Sequence, residues 1–331
     1  MSFNKLLYTP EEVDVEFRRQ EAESEGEDSK IAEDISETDD ETGSITNSDI
    51  CDDEVTDEYK LFCLFITNDI INKIVRHTNE SIEISKNRFT SDQWYIHPTD
   101  PTEIRSLIGL FYMSCILKNR GLNLEDMFSP IWGFSVFRCS ISKNRLEFLF
   151  ANIRFDDKNT RDTRKAEDKF TAFREIWSVF EGNCFRYYSP SKYLTIDETL
   201  LSFRGRCSFR MYIASKPDKY GLKIESLCDA RTFYFISEIP YVGKEKHKKK
   251  KDLPLPTQYV LNLTDKVKGS NRNITCDNWF SSLGLVDALL ERKLTFVGTL
   301  RKNKAEIPPS VLSKASVGSS QFLYQDNKML R

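Results

Sequence analysis

The feature that most constrains this chain is a change of texture at Ser191, where helical periodicity gives way to short β-like runs. Residues 193–197 form the first run, and 210–214 carry a further strand pattern. Residues 222–228 and 232–239 are rich in β-branched and aromatic side chains and also read as strands. A helix is predicted at 259–266, a short strand at 273–276, an amphipathic helix at 283–291 and a strand at 295–300. Strands followed by alternating helices predict an α/β unit with a mixed sheet, since parallel neighbours need a crossover helix and antiparallel ones do not. A last strand-like piece, 321–324, has no evident partner in the sequence.

Upstream the periodicity is helical. Patterns at 58–65 and 68–79 precede a helix over 103–118, opened by Pro101 and Thr102, because proline is tolerated at a helix start. Ile70, Ile71, Ile74 and Val75 share one face of the second pattern. Ile104, Leu107, Ile108, Phe111 and Tyr112 recur at helical spacing in the third. Further helices are predicted at 142–153 and 170–188, so 59–190 reads as a mostly α-helical region.

Charge divides the chain more sharply than periodicity does. Residues 11–58 hold 21 acidic against three basic residues, a net of −18. The remainder holds 45 basic against 30 acidic, a net of +15. The acidic stretch is too poor in apolar side chains to offset chain entropy and is predicted to be disordered. It either screens the basic body from nonspecific DNA or is merely a solvated tail. A basic body on an acidic arm is a pattern of proteins that meet polyanions. No apolar run approaches the ~20 residues that span a bilayer. The closest two of the eight cysteines are twelve positions apart, and only three histidines occur. That excludes a zinc knuckle and predicts reduced thiols in an intracellular protein.

Two carboxylates stand out by position. Asp197 lies in the strand pattern YLTIDE, and Asp277 in NITCDNW, where a later strand ends. If the sheet sets those strands side by side, both carboxylates emerge together. Such a pair suits Mg²⁺, which takes hard oxygen ligands and keeps waters or phosphate oxygens in its shell. Two ions ~4 Å apart could activate a water or a 3′-hydroxyl and stabilise the leaving oxygen in an in-line displacement at phosphorus. Strand-end aspartates are common, so the pair alone also fits ordinary polar positions.

The stretches around the aspartates are more specific. They are LTIDETLLSFRGR (194–206), KPDKYGLKI (216–224), RNITCDNWFSS (272–282) and VGTLRKNKAEIP (297–308), with EIRSLIGL (103–110) and SKNRLEF (142–148) upstream. Together they resemble the piggyBac family of DDE transposases over roughly residues 60–325. The resemblance implies an α plus α/β architecture. An acidic tail (1–58) would precede the first half of a helical dimerisation and DNA-binding region (59–190). An incomplete RNase H-like mixed-sheet catalytic domain (191–306) and the start of an insertion (307–331) would follow. It implies that Asp197 and Asp277 are the first two catalytic, metal-binding residues of a triad. The third would lie on a later helix beyond Arg331, so no residue here takes that role. It further implies two Mg²⁺ ions, transposon-end DNA with a TTAA target as partner, a homodimer and a nuclear location.

Arg204, Arg206, Arg210, Lys216, Lys219, Lys223, Arg301 and Lys302 are the candidate DNA-binding residues, as cations close to the two aspartate motifs. Among the aromatics between them, Phe203, Phe209, Tyr212 and Tyr220, core packing is expected for most and base stacking for the rest. The run KEKHKKKK (244–251) is a nuclear-localisation or phosphate-contacting loop, or a solvated hairpin tip. Trp279 either walls the site or anchors the helix beneath it. Glu198 and Asp229 read as ordinary polar positions. The expected function is DNA cleavage and strand transfer in the complete protein. The alternative is a catalytically inactive, domesticated remnant that binds DNA or chromatin, or dimerises.

Overall fold

The computed structural model describes residues 4–6, 57–118, 122–243, 253–311 and 319–331. The acidic residues 11–56 and the basic run 244–251 lie outside that set. Among the described residues no helix is long and apolar enough to cross a membrane.

The helical region starts where side chains can cap free backbone N–H groups. Asp57 accepts from Tyr59 and Lys60 at the head of α1 (Glu58–Phe65), and Thr67 accepts from Ile70 at the head of α2 (Asn68–Lys86). Asp100 caps α3 (Pro101–Ile116), whose first position is the proline. Ile70, Ile71 and Ile74 pack with Ile104 and with Ile176 of a later helix, α8 (Thr171–Arg186). Helix α2 runs seven residues beyond its predicted end at 79. Its apolar stripe is interrupted by buried Thr78 and resumes at fully buried Ile82, so the break in hydrophobicity is not a break in the helix.

Three helices were not predicted: α4 (Leu124–Met127), α5 (Ser135–Ser140) and α7 (Lys158–Glu167). The first two are too short for a periodicity to register. Helix α7 buries no residue and so shows no apolar stripe; Arg161 and Arg164 tie it to buried Asp156 instead. Between α3 and α6 (Lys143–Asn152), Arg145 is almost fully buried. It grips Glu103 through two hydrogen bonds of 2.7 and 2.6 Å and also donates to the carbonyls of Tyr95, His97 and Pro98. Burial works to raise the Glu103 carboxyl, but Arg145 and the Thr99 hydroxyl hold it below its ordinary range.

The α/β unit is a six-stranded mixed sheet. Strand β2 (Tyr193–Ser202) is central, antiparallel to β4 (Tyr220–Asp229) on one side and parallel to β6 (Asn273–Cys276) on the other. Strand β7 (Thr295–Gly298) extends the parallel side. Two short strands, β3 (Met211–Tyr212) and β5 (Phe235–Pro240), share the far edge of β4. Helices α9 (Leu255–Leu263) and α10 (Leu283–Glu291) make the crossovers. Leu194, Ile196, Leu227 and Ile274 of the sheet form one buried cluster with Val260, Leu263, Leu285 and Leu289 of these helices. Helix α8 joins the two regions: Glu181 accepts from Ser237, and the Cys184 carbonyl accepts from Tyr234 of the adjoining turn.

The element order agrees with the sequence expectation, with shifted bounds. The crossover helix starts four residues earlier than expected and ends at Leu263, followed by a 3₁₀ turn at Asp265–Val267. Strand β2 is twice as long as its predicted core, because its second half pairs with β4 although it is exposed.

One expectation is overturned. The strand within 321–324 does have partners: β8 (Phe322–Gln325) pairs with β9 (Lys328–Leu330) and with β1 (Asn4–Leu6). Each partner is only three residues long, below what alternation in a sequence can signal. Strand β1 precedes the acidic stretch 11–58. An ion pair from Lys328 to Asp287 ties the hairpin to α10.

Candidate active site

The site is set by a register. Strands β2 and β6 are parallel neighbours in which Ile196 pairs with Cys276. The next position on each chain is an aspartate, Asp197 on β2 and Asp277 just past the end of β6. Ile196 and Cys276 are buried in the core, so strand alternation turns Asp197 to the opposite, exposed side, where Asp277 is exposed too. The structure therefore brings the two sequence-predicted carboxylates to one end of two adjacent strands. Burial first, then the charges of Asp277 and Asp197, push the Cys276 thiol up to about 12.

Each aspartate is oriented by a backbone donor. The N–H of Glu198 donates to Asp197 Oδ1 at 2.8 Å, and the N–H of Trp279 donates to Asp277 Oδ1 at 2.9 Å. The second bond is an Asx turn, which an aspartate beyond a strand end forms readily. The Asp277 carbonyl also accepts from both the N–H and the hydroxyl of Ser281. Gly298 closes the far side. A Cβ there would lie 2.8 Å from the Cys276 carbonyl oxygen and 2.8 Å from Ser281 Oγ, so the backbone beside Asp277 has room only for glycine.

Behind the pair lies a charged network that sequence reasoning missed. Glu198 follows Asp197 on β2, faces the other side of the sheet and pairs in register with Glu225 of β4. Glu225 is fully buried, neither of its oxygens has a directional hydrogen-bond donor among the described residues, and Lys223 lies 2.8 Å from one of them. Burial, with the nearby charges of Glu198 and Asp197, raises the Glu225 carboxyl despite that ion pair. The Lys223 ammonium also sits 4.4 Å from the centre of the Trp279 ring. Lys216 reaches Glu198, 3.3 Å from its carboxylate and 3.4 Å from its carbonyl oxygen.

The eight candidate DNA-binding cations thus divide. Lys216 and Lys223 are engaged within the protein. Arg210 donates to the carbonyls of Arg204 and Gly205 and lies over the Tyr220 ring. Arg204, Arg206, Lys219 and Lys302 are exposed and make no ion pair among the described residues. Arg301 donates to Asn278 at 3.0 Å, which brings a guanidinium beside the Asp277 turn. The expectation that most of the interleaved aromatics are core residues is corrected. Phe203, Tyr212 and Tyr220 are exposed, and only Phe209 packs inward, against Phe170. Trp279 is partly buried against the sheet core and edge-on to Phe280, as an anchor would be.

Asp229 is not an ordinary polar position. It is fully buried at the end of β4 and accepts hydrogen bonds from Ser191, Tyr188, Arg231 and Thr232, fixing the entry into β2. Burial works to raise its carboxyl, yet these donors bring it down to about 2. Strand alternation gave no signal of this role, because all of its donors except Ser191 and Tyr188 come from a local turn. Among the described residues no group of three His, Cys, Asp or Glu side chains converges as a metal cluster.

Residues 57–331 match the family model described as Transposase IS4. The chain is 25% identical over 251 residues to "PiggyBac transposable element-derived protein 3" of Homo sapiens, covering 74% of this chain and 40% of that protein. It is likewise 25% identical to the "Chimeric ERCC6-PGBD3 protein" of Homo sapiens, of which it covers 22%. A solved structure, "Cryo-EM structure of piggyBac transposase synaptic complex with hairpin DNA", superposes with a TM-score of 0.77 at 41% identity. That match covers 81% of this chain and 56% of the solved one. The chain thus spans less than half the length of these curated relatives and just over half of the solved chain.

Proposed function

The chain belongs to the piggyBac-type Transposase IS4 family, and we propose that it supplies the first two carboxylates of a DNA cleavage and strand-transfer site working by two-metal phosphoryl transfer. The single observation that carries the reading is the parallel register of Ile196 with Cys276, which sets Asp197 and Asp277 at the same end of adjacent strands. In this reading the sheet is the core of an RNase H-like domain, and the helices upstream belong to a dimerisation and DNA-binding region.

The donor set fits Mg²⁺: two exposed carboxylates, hard oxygen ligands that leave room for water or phosphate oxygens. A bound ion there would supply Lewis acidity at phosphorus and ease deprotonation of an attacking water or 3′-hydroxyl. Asp197 and Asp277 would hold it, each with one oxygen already fixed by a backbone N–H. Arg301, Lys302, Arg204, Arg206 and Lys219 would neutralise backbone phosphates of the bound DNA. The third carboxylate of the triad is assigned to no residue of this chain. Transposon ends with a TTAA target, a homodimeric assembly and a nuclear location complete the proposal.

Mn²⁺ binding to the full chain, followed by electron paramagnetic resonance with duplex DNA present, tests the site. Asp197→Asn and Asp277→Asn should each lose Mn²⁺ binding while keeping DNA binding. Wild-type Mn²⁺ affinity in either variant would remove the assignment.

A further inference from the structure

A cleft of about 460 Å³ opens at the end of the sheet remote from the aspartates, between the C-terminus of α8 and the turn at Asp265–Val267. Four cations line it, Arg186, Lys266, Lys268 and Arg272, together with the hydroxyl-bearing Ser189 and Ser270, and no acidic residue is among its lining side chains. Arg272 is held rigidly: its Nε donates to the carbonyls of Pro190 and Ser191, and Nη2 donates to Pro190 at 2.7 Å. Those bonds use one edge of the guanidinium. Among the described residues Nη1 has no partner. Arg186 is exposed and makes no ion pair among them either. Among the described residues Lys268 pairs only with Asp265, at 3.5 Å with both side chains 62% exposed, a pair too solvated to neutralise it. Lys266 is the exception, paired with Glu181 at 3.0 Å.

We infer that this cleft is a second DNA contact, binding backbone phosphates of a duplex that also reaches the aspartate end of the sheet. The inference rests on the DNA reading of the preceding section and adds a surface to it. A fixed guanidinium edge suits a phosphate oxygen, because its donors are already oriented before the ligand arrives. The spacing suits a duplex. Arg272 immediately precedes β6 and Asp277 immediately follows it, five residues on, or roughly 16 Å along extended backbone. Each strand of a duplex carries one phosphate per ~3.4 Å of axis, so about five base pairs laid along the strand direction would span both ends.

Fluorescence anisotropy of a labelled 30-base-pair duplex with the full chain, measured across a salt series, tests it. Arg186→Glu with Lys268→Glu should weaken binding at low salt by about 10-fold or more and lower the log–log salt slope by about two. The neutral pair Arg186→Gln with Lys268→Gln guards against misfolding caused by added acid and should show the same change in slope. If both cleft variants keep the wild-type affinity and slope while Arg204→Gln with Arg206→Gln weakens binding, the cleft is overturned and the DNA reading stands. If the wild-type chain does not bind duplex at low salt, both fall.

Discussion

The Lys223 ammonium lies 4.4 Å from the centre of the Trp279 ring, and the backbone N–H of that same tryptophan holds Asp277 Oδ1. A residue on β4 is thereby coupled to the orientation of a carboxylate on the neighbouring strand but one. Lys216 acts in parallel on the other aspartate, through Glu198, whose N–H holds Asp197. Two cations expected to meet DNA position the site from behind.

Removing Lys223 leaves the fully buried Glu225 uncompensated. Lys223→Met should destabilise the fold by about 3 kcal/mol, the usual consequence of stranding one partner of a buried ion pair. Adding Glu225→Gln should restore much of the loss. Urea unfolding of the two variants checks the pair, and a double variant no more stable than the single one would show that Lys223 acts chiefly through Trp279.

Gly298 has no room for a side chain. Gly298→Ala should cost about 1–3 kcal/mol as the Cys276 carbonyl and Ser281 give way. Because Ser281 donates to the Asp277 carbonyl, Mn²⁺ affinity should fall as well. An unchanged melting temperature in differential scanning calorimetry would contradict the close packing.

Arg145 joins two helical stretches far apart in sequence. Arg145→Met should destabilise by about 3–5 kcal/mol, since it strands Glu103 and three backbone carbonyls. The effect should shrink as pH falls below the ordinary carboxylate range, because the depressed Glu103 carboxyl progressively loses its charge there. Chemical denaturation at pH 7 and pH 3 separates the charge from the packing contribution.

Asp229 predicts an acid limb of stability. Its carboxyl lies at about 2 in the folded protein, below the ordinary value of 3.8. A depressed carboxyl contributes stability above its unfolded value and loses it as pH falls through the folded one. About 2 kcal/mol should therefore be present at pH 5 and disappear between about pH 4 and pH 2. Asp229→Ala should flatten that part of the pH–stability curve; an unaltered curve would place the acid sensitivity elsewhere.

The sequence determined the order of elements, because helical spacing and β-branched runs are local properties of the chain. It also marked both aspartates, through the residues beside them. It did not reveal that α2 continues past Asn79 to Lys86, or that α7 exists without an apolar stripe. What only the tertiary structure decided is which strands are neighbours. The parallel pairing of β2 with β6 depends on the crossover helices packing on one face, and no local pattern specifies a register across some eighty residues. Contacts that no local pattern announces also engaged two lysines within the protein, Lys223 with Glu225 and Trp279 and Lys216 with Glu198.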